Sequence, residues 1–404
     1  TGKDLDDVIE DSTYGSVAWS ANDEWLFYVK PDEQMRPWQV WRHRIGTQTA
    51  DDVLVHEETD ERFFVGVGTT RSGKWIVIEA GSKTSGEAWV IDADDPTAPP
   101  VSVAPRRDNV EYTIDHWGDH FVITTNLDAL DFRVMLAPTS SPSQWTDFVP
   151  HTIGQRIAQF DCFANFAVMQ RWVNAQQEIS VVRRDGNIEP IAIINEPHEA
   201  EVDSNPDFDV TTVRVAYQSL TTPLVTAEFD VATKTLTTLK QTEAPNCDLA
   251  QYVSERVWAT SHDGVRIPLD IVRHRNTALD GSAPALIYGY GSYEISVAPW
   301  FSAGRLSLLD RGWIWALAHP RGGGEMGRQW YLDGKFLKKR NTFLDTIACA
   351  NHLASTNVCD GEKIVIRGGS AGGLLVGACI TMEPSCFAGA IAEVPFVDVV
   401  STMS

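Results

Sequence analysis

The chain has 404 residues, 43% of them hydrophobic, and its 33 Lys and Arg residues are outnumbered by 55 Asp and Glu residues, which gives a formal net charge of −22. This length is too great for one compact core and favours two or more domains. The excess negative charge argues against nucleic acid and anionic membranes as partners, because like charges repel. A peptide hormone and a small disulfide-stapled domain are also excluded.

The excess of acidic over basic side chains is confined to the first part of the chain. Residues 1–250 contain 41 acidic and 19 basic side chains, whereas residues 251–404 contain 14 of each. An acidic part joined to a neutral part predicts two domains, at 1–250 and 251–404. The other interpretation is a soluble acidic face that keeps the protein monomeric.

Cysteine usage and hydropathy predict a cytoplasmic protein. The six cysteines form no Cys-x-x-Cys pair and no metal-ligand spacing, so we interpret them as small buried hydrophobes in a reducing compartment. No metal and no cofactor is predicted. The apolar runs are shorter than a membrane span needs. The chain begins without Met and without a signal-peptide pattern, and we expect its start to be an internal cut.

A weak repeat runs through the acidic part. Its first β-rich runs begin 45 to 50 residues apart, at Trp25, Trp75, His120, Phe166 and Val213. A second run follows each of them after 12 to 14 residues, at Gln39, Glu87, Phe132, Glu178 and Val225. A period near 45 with three or four strands per unit predicts a β-propeller of five blades. A β-sandwich is the alternative. Five blades are near the lower end of what closes a ring, so either the ring is small or further blades lie outside the chain.

The pattern changes after residue 250, where strands alternate with helices as in an α/β fold with a mostly parallel sheet. The first of these elements is a hairpin with its turn at Asp263-Gly264. The later predicted elements are a strand from Ala285, a helix from Ser302, a strand at 313–320, a helix capped by Asn341-Thr342, a strand at 363–367, a helix at 374–382 and a strand at 394–400.

The segment Gly368-Gly-Ser-Ala-Gly372 matches G-x-S-x-G between a predicted strand and a predicted helix. This context is that of a nucleophile elbow, in which small neighbours let the strand and helix pack closely around an exposed serine. Ser370 is therefore the candidate nucleophile. The backbone N–H of Ala371 is a candidate oxyanion donor. A second donor is sought among Tyr288, Tyr290 and Tyr293, for which a packing role is an equal alternative.

A base for Ser370 is not evident in the chain. All ten histidines precede Ser370, whereas α/β-hydrolases place their Asp and His after the serine. The one Asp that follows is Asp398, and we interpret His319 and His352 as structural. We therefore expect the chain to end before its triad is complete and to be inactive alone.

The second part resembles the prolyl oligopeptidase family of serine peptidases, and within it the oligopeptidase B branch. The resemblance rests on YGYGSYEIS, SLLDRGWIWALAHPRGGGEMGRQWY, DGKFLKKRNTF, RGGSAGGLLVG and AEVPFVDVVSTM. The first part, with RPWQVWRHRIGT and DERFFVGVG, is similar to the family's seven-bladed propeller. The fold implied is a β-propeller, with about five of seven blades present, followed by a truncated α/β-hydrolase domain.

The resemblance implies a monomeric endopeptidase that cuts short peptides after Arg or Lys, with the propeller as a size filter. On matching positions Ser370 is the nucleophile, the Tyr290 hydroxyl and the Ala371 N–H form the oxyanion hole, and Tyr293 lines the pocket for the residue before the cut. Ala371 favours the oligopeptidase B branch. The family's catalytic Asp and His and its specificity Glu fall beyond residue 404.

Three questions stay open at this stage. Ala298 and Trp300 stand where some members carry two acids, so single and paired basic specificity are both possible. The first alternative function is a non-catalytic acidic propeller module that binds cationic partners. The second is an exopeptidase or esterase with the same fold.

Overall fold

A computed structural model describes residues 2, 5–12 and 16–403, without the side chains of residues 402 and 403. In this part, five four-stranded sheets precede one six-stranded sheet. The strands of the first five sheets are β1 Val17–Trp19, β2 Trp25–Pro31, β3 Pro37–Arg44, β4 Val53–Glu57, β5 Phe64–Thr69, β6 Trp75–Gly81, β7 Gly86–Asp92, β8 Val101–Ala104, β9 Tyr112–Trp117, β10 His120–Thr125, β11 Arg133–Pro138, β12 Thr146–Val149, β13 Gln155–Cys162, β14 Ala167–Val173, β15 Gln176–Val182, β16 Ile188–Pro190, β17 His198–Val202, β18 Thr212–Ser219, β19 Val225–Asp230 and β20 Thr235–Gln241.

Each of these five sheets is an antiparallel meander whose strands pair in chain order. The runs predicted at Trp25 and Trp75 are the second strands of the first two sheets, β2 and β6. Their β-branched and aromatic side chains suit a pleated sheet that is buried on both faces. Consecutive sheets enclose shared apolar clusters, such as the one that joins Phe27 of β2 to Ile76 of β6. Sheets stacked face to face in this way are the blades of a propeller.

The six-stranded sheet has the strand order β21-β22-β24-β23-β25-β26. Its first two strands pair antiparallel, and the neighbours from β24 to β26 pair parallel. The elements of this part are β21 Tyr252–Thr260, β22 Arg266–His274, β23 Ala285–Tyr288, α1 Ala303–Leu309, β24 Ile314–Ala318, α2 Arg328–Leu332, α3 Arg340–Ser355, β25 Ile364–Gly369, α4 Ala371–Met382, β26 Gly389–Glu393 and α5 Val399–Met403.

Helices cover both faces of this sheet. Leu353 of α3 packs with Ile267 and Ala316 on one face. On the other face, Leu309 of α1 packs with Trp315. Burial of both faces explains why the central parallel strands β23 and β24 are almost entirely apolar, whereas the edge strand β26 is mostly exposed. Parallel strands that share one direction also bring their carboxyl ends to one edge, where the loop after β23 meets the turn after β25.

Two predicted local features are wrong. Helix α3 begins at Arg340, so Asn341-Thr342 lies within its first turn and does not cap it. The Thr342 hydroxyl instead donates to the carbonyl oxygen of Arg321 at 2.5 Å. The strand predicted at 394–400 is absent from the described residues, because the chain turns away at Val394, which has a φ of 36°, and the next residue is Pro395.

All six cysteines are unpaired, and the predicted burial holds fully for four of them. Cys247 and Cys386 are only half-buried. Burial raises the pKa of the Cys379 thiol to about 12, so this side chain behaves as an apolar group. Among the helices of the described residues, none combines the length and the apolar character that crossing a bilayer requires.

Candidate active site

Ser370 lies at the sharp turn that joins β25 to α4. Its backbone has φ 54° and ψ −116°, a sparsely populated conformation that costs a non-glycine residue about 1–3 kcal/mol. The serine is exposed, at the edge of the sheet where the parallel strands end. Strained backbone persists only where surrounding contacts enforce it, and it concentrates at functional sites. The geometry is that of a nucleophile elbow.

Glycines on both sides of Ser370 allow this turn to pack against the neighbouring strand. A Cβ atom at position 372 would lie 2.6 Å from the carbonyl oxygen of Gly289, closer than real Cβ contacts allow. A Cβ atom at position 368 would overlap the carbonyl group of Gly372. The loop after β23 and the start of α4 therefore meet backbone to backbone, which brings Tyr290 beside Ser370.

Main-chain bonds from the segment after β26 hold the turn from its other side. The N–H of Ser370 donates to the carbonyl oxygen of Glu393 at 2.9 Å, and the N–H of Phe396 donates to the carbonyl oxygen of Ser370 at 3.0 Å. Pro395 packs over Gly373, leaving no room for a side chain there. This supporting role was not predicted from the sequence. The signal that could have revealed it is the proline two residues after an apolar strand.

Tyr290 and Ala371 both present donors near Ser370. Burial raises the pKa of the Tyr290 hydroxyl, the neighbouring Tyr293 adds to the rise, and a side-chain hydrogen bond with Ser370 acts against it. The phenol therefore stays protonated and able to donate at neutral pH. Ala371 occupies the first position of α4, where the helix offers its N–H no acceptor. Tyr288 instead stacks on Trp315 inside the sheet packing.

Tyr293 lies three residues further along the same loop, with φ 61° and 58% of its surface exposed. The turn before it is held by Lys339, whose Nζ donates to the carbonyl oxygen of Gly291 at 2.5 Å and to the Ser292 hydroxyl at 2.6 Å. Burial lowers the pKa of Lys339 to about 8. An exposed ring on an anchored loop can form one wall of a binding pocket.

The fully buried histidine of this part, His319, lies in a separate polar network. Its Nε2 is 2.9 Å from Asp270, which also accepts two hydrogen bonds from Arg256. The other ring nitrogen lies 3.6 Å from the carboxylate of Glu325. These contacts account for His319 without any part in the chemistry of Ser370.

The propeller contains a cavity of about 750 Å³ that is lined by residues of β5, β6, β9 and β13. Its polar lining includes Arg71, Glu79, Asp115 and Asp161. Burial raises the pKa of both Glu79 and Asp115. This cavity does not include the four candidate site residues, which lie in the second part of the chain.

Comparison with known proteins decides the family. Residues 1–242 match the N-terminal beta-propeller domain of prolyl oligopeptidase, and residues 299–404 match the prolyl oligopeptidase family. The chain belongs to the prolyl oligopeptidase family. It is 40% identical to dipeptidyl aminopeptidase BI of Pseudoxanthomonas mexicana, over 100% of this chain and 56% of that protein. It is 37% identical to protease 2 of Moraxella lacunata, over 100% of this chain and 59% of that protein.

Solved structures of this family superpose on the whole chain. Oligopeptidase B from Trypanosoma brucei, with covalently bound antipain in a closed form, matches with a TM-score of 0.88 and 36% identity, over 99% of this chain and 58% of that one. Oligopeptidase B from Leishmania major matches with a TM-score of 0.89 and 32% identity, over 100% of this chain and 58% of that one. The chain therefore spans less than two thirds of the length of these relatives.

These comparisons confirm the predicted family and the predicted fold, a β-propeller followed by part of an α/β-hydrolase domain. The domain boundary at 250/251 stays a prediction. The roles of the four candidate site residues also stay predictions, although three of them lie together, with the Tyr290 side chain beside Ser370 and Ala371 following that serine.

Proposed function

We propose that the chain carries the nucleophile and the oxyanion hole of a serine peptidase. The observation that carries this proposal is the strained backbone of Ser370, which holds its hydroxyl exposed beside the phenol of Tyr290. The Ser370 Oγ attacks the peptide carbonyl carbon, and its proton passes to a base. The Tyr290 hydroxyl and the Ala371 N–H stabilise the oxyanion of the tetrahedral intermediate. The amine then leaves with a proton, and water hydrolyses the acyl-enzyme.

The base and its carboxylate partner are proposed to come from residues outside 1–404. Two of the four histidines of the second part have other partners in the structure: His319 contacts Asp270, and His274 contacts Gln251. Under this proposal the chain by itself is inactive, because removal of the base eliminates most of a triad's rate even where the oxyanion hole remains.

The proposed substrates are short peptides cut after Arg or Lys, with Tyr293 lining the pocket for the residue before the cut. Two observations support a basic substrate. Solved structures that superpose on the chain are named oligopeptidase B. The excess of acidic side chains in residues 1–250 attracts cationic peptides. We further propose that the propeller admits only short peptides, and that the protein acts as a cytoplasmic monomer.

A second candidate function is removal of dipeptides from free amino termini. It is favoured by the relative named dipeptidyl aminopeptidase BI, which is 40% identical to this chain. The two functions differ in whether the substrate needs a free amino group. A peptide that carries Arg before the cut, compared with its amino-terminally blocked form, separates them directly.

The test uses the complete protein that the gene encodes, a fluorogenic Arg peptide and a serine-directed fluorophosphonate probe. We expect turnover and labelling in the wild type and neither in S370A. The matched control is S355A, because Ser355 lies exposed on α3 and its hydroxyl contacts only the carbonyl oxygen of His352 at 3.3 Å. Retained activity in S370A would remove the nucleophile assignment. Binding of basic peptides without labelling of the wild type would favour a non-catalytic propeller module.

A further inference from the structure

The loop that carries Tyr290 and Tyr293 ends in two strained residues. Tyr293 has φ 61° and Glu294 has φ 63°, so two consecutive residues with side chains occupy the left-handed region. Such a pair persists only where surrounding contacts enforce it. Two backbone contacts contribute: the N–H of Ile295 donates to the carbonyl oxygen of Ser292 at 3.0 Å and closes the turn, and the N–H of Glu294 donates to the carbonyl oxygen of Gly322 at 3.1 Å.

The side chain of Glu294 supplies the other contacts, and they join the two domains. Its Oε1 is 3.0 Å from Nε of Arg156 in β13 of the propeller and 3.1 Å from Nε of Arg328 in α2 of the hydrolase domain. The Glu294 side chain is 12% exposed, and those of Arg328 and Arg156 are 14% and 22% exposed. These ion pairs are thus shielded from solvent, unlike most surface pairs.

Arg328 is itself bound to the propeller. Its Nη1 lies 2.6 Å from Oε1 of Glu111, and its backbone N–H donates to the fully buried carboxylate of Asp131 at 2.6 Å. The guanidinium groups of Arg156 and Arg328 also lie over the ring of Phe132, at 5.4 and 5.2 Å from its centroid. The partners of Glu294 therefore involve two blades: the blade of β9 to β12 contributes Glu111, Asp131 and Phe132, and the blade that begins with β13 contributes Arg156.

We propose that Glu294 is a positioning residue that ties the Tyr290–Tyr293 loop to the propeller. The propeller then adds to the contacts within the hydrolase domain, those of Lys339 and Gly372 among them, that hold the loop and Tyr290 beside Ser370. Separation of the domains removes Arg156 and Glu111 from the cluster, and the strained pair at 293 and 294 relaxes. The inference rests on the proposed function, because it concerns the geometry of the same oxyanion hole and pocket.

The test measures kcat, KM and Tm of E294Q, R156M and the double variant in the complete protein. We expect each single variant to lower kcat about 10-fold, since small misplacements of catalytic groups are costly. The kcat of the double variant should be no lower than that of the worse single variant, because both substitutions break the same Glu294–Arg156 ion pair. R156K keeps the charge and should recover most of kcat. The matched control is R171M, because Arg171 pairs with Glu178 inside one blade at 3.2 Å.

Three results would overturn this proposal. The first is a kcat of E294Q within twofold of the wild-type value. The second is a decrease in kcat of the double variant that equals the product of the two single decreases, and the third is a decrease in kcat that is fully explained by a lower Tm. If E294Q does not fold, R156M and R156K carry the same comparison. Failure of the proposed function is seen separately, as an active S370A variant or an unlabelled wild type, before any variant of Glu294 or Arg156 is measured.

Discussion

A Cβ atom on residue 372 would lie 2.6 Å from the carbonyl oxygen of Gly289, whereas one on residue 369 would meet nothing closer than the Glu393 carbonyl oxygen at 3.7 Å. The two glycines, on either side of Ser370, thus differ sharply in the space available for a side chain. We expect G372A to lower the free energy of unfolding by about 1–3 kcal/mol, because backbone must move to admit the methyl group. G369A should change it by much less.

Urea unfolding of both variants checks this expectation. The turnover of G372A should also fall, since the shift that relieves the contact moves Ser370 away from Tyr290. Equal stability of the two variants would mean that the backbone of the loop after β23 can move at little cost in free energy. The nucleophile elbow would then not depend on the backbone contact with Gly289.

The second prediction concerns the phenol of Tyr290. Y290F should lower kcat about 10²-fold with little change in KM, because the lost donor acts on the transition state and one oxyanion donor is worth that much. Steady-state kinetics with the Arg peptide measures both constants. Y288F is the matched control, because the Tyr288 ring stacks on Trp315. A kcat of Y290F equal to that of Y288F would assign Tyr290 to packing.

The third prediction follows from the buried network of His319. Burial lowers its pKa, but the charges of Asp270 and Glu325 outweigh burial and raise the pKa above 6.5. Burial by itself raises the pKa of Asp270. The charges and hydrogen bonds of His319 and Arg256 outweigh this effect, so the pKa lies below 3.8. The imidazolium therefore stabilises the fold below pH 6.5, and this contribution disappears as pH rises through the folded pKa. The carboxylate contributes above pH 3.8 and loses its contribution as pH falls through its own folded pKa.

Denaturant unfolding of wild type and H319Q between pH 5 and 9 measures the difference in stability. We expect the wild-type advantage to shrink as pH rises above 6.5. H352Q is the contrasting control, because burial, together with Arg266, lowers the pKa of His352. Its wild-type advantage should instead grow as pH rises towards 6.5. A pH-independent difference for H319Q would show that this histidine stays neutral.

The fourth prediction concerns the charge of the propeller. If the acidic side chains of residues 1–250 concentrate basic peptides, added salt should lower kcat/KM for a dicationic peptide through slower association. A peptide with one positive charge should respond less. Stopped-flow or steady-state rates between 20 and 500 mM salt make the comparison. An unchanged kcat/KM for both peptides would leave the acidic face a role in solubility alone.

The repeat and the elbow could be predicted from the sequence because both are local patterns. The β-rich runs at Trp25 and Trp75 begin strands at those residues, since each run contains its own propensity and its own turns. Likewise, Ser370 stands between a short apolar strand and a helix, as G-x-S-x-G in that context indicates. Between residues 251 and 382 every predicted strand and helix is present in the predicted order for the same reason, whereas α2, β26 and α5 were not predicted.

The failures arose where distant contacts overrode local preference. Thr342 was predicted to cap α3, but its hydroxyl satisfies the carbonyl oxygen of Arg321. The run at 394–400 has strand propensity, yet Pro395 is held over Gly373 beside the elbow. The ion pair between Glu294 and Arg156 was not predicted for a similar reason, because the two residues are far apart in sequence and no pattern links them.

The hairpin between β14 and β15 contacts the second domain through its own main-chain atoms. The N–H of Ala175 donates to the carbonyl oxygen of Glu325 at 3.1 Å, and the carbonyl oxygen of Asn174 accepts from Arg256 at 2.9 Å. Ala175 is fully buried, whereas Asn174 is exposed, and both have positive φ. Position 174 is therefore constrained in its backbone angle and not in its side chain. A glycine or a reporter-labelled cysteine can be placed there to follow the separation of the two domains without removing a contact between them.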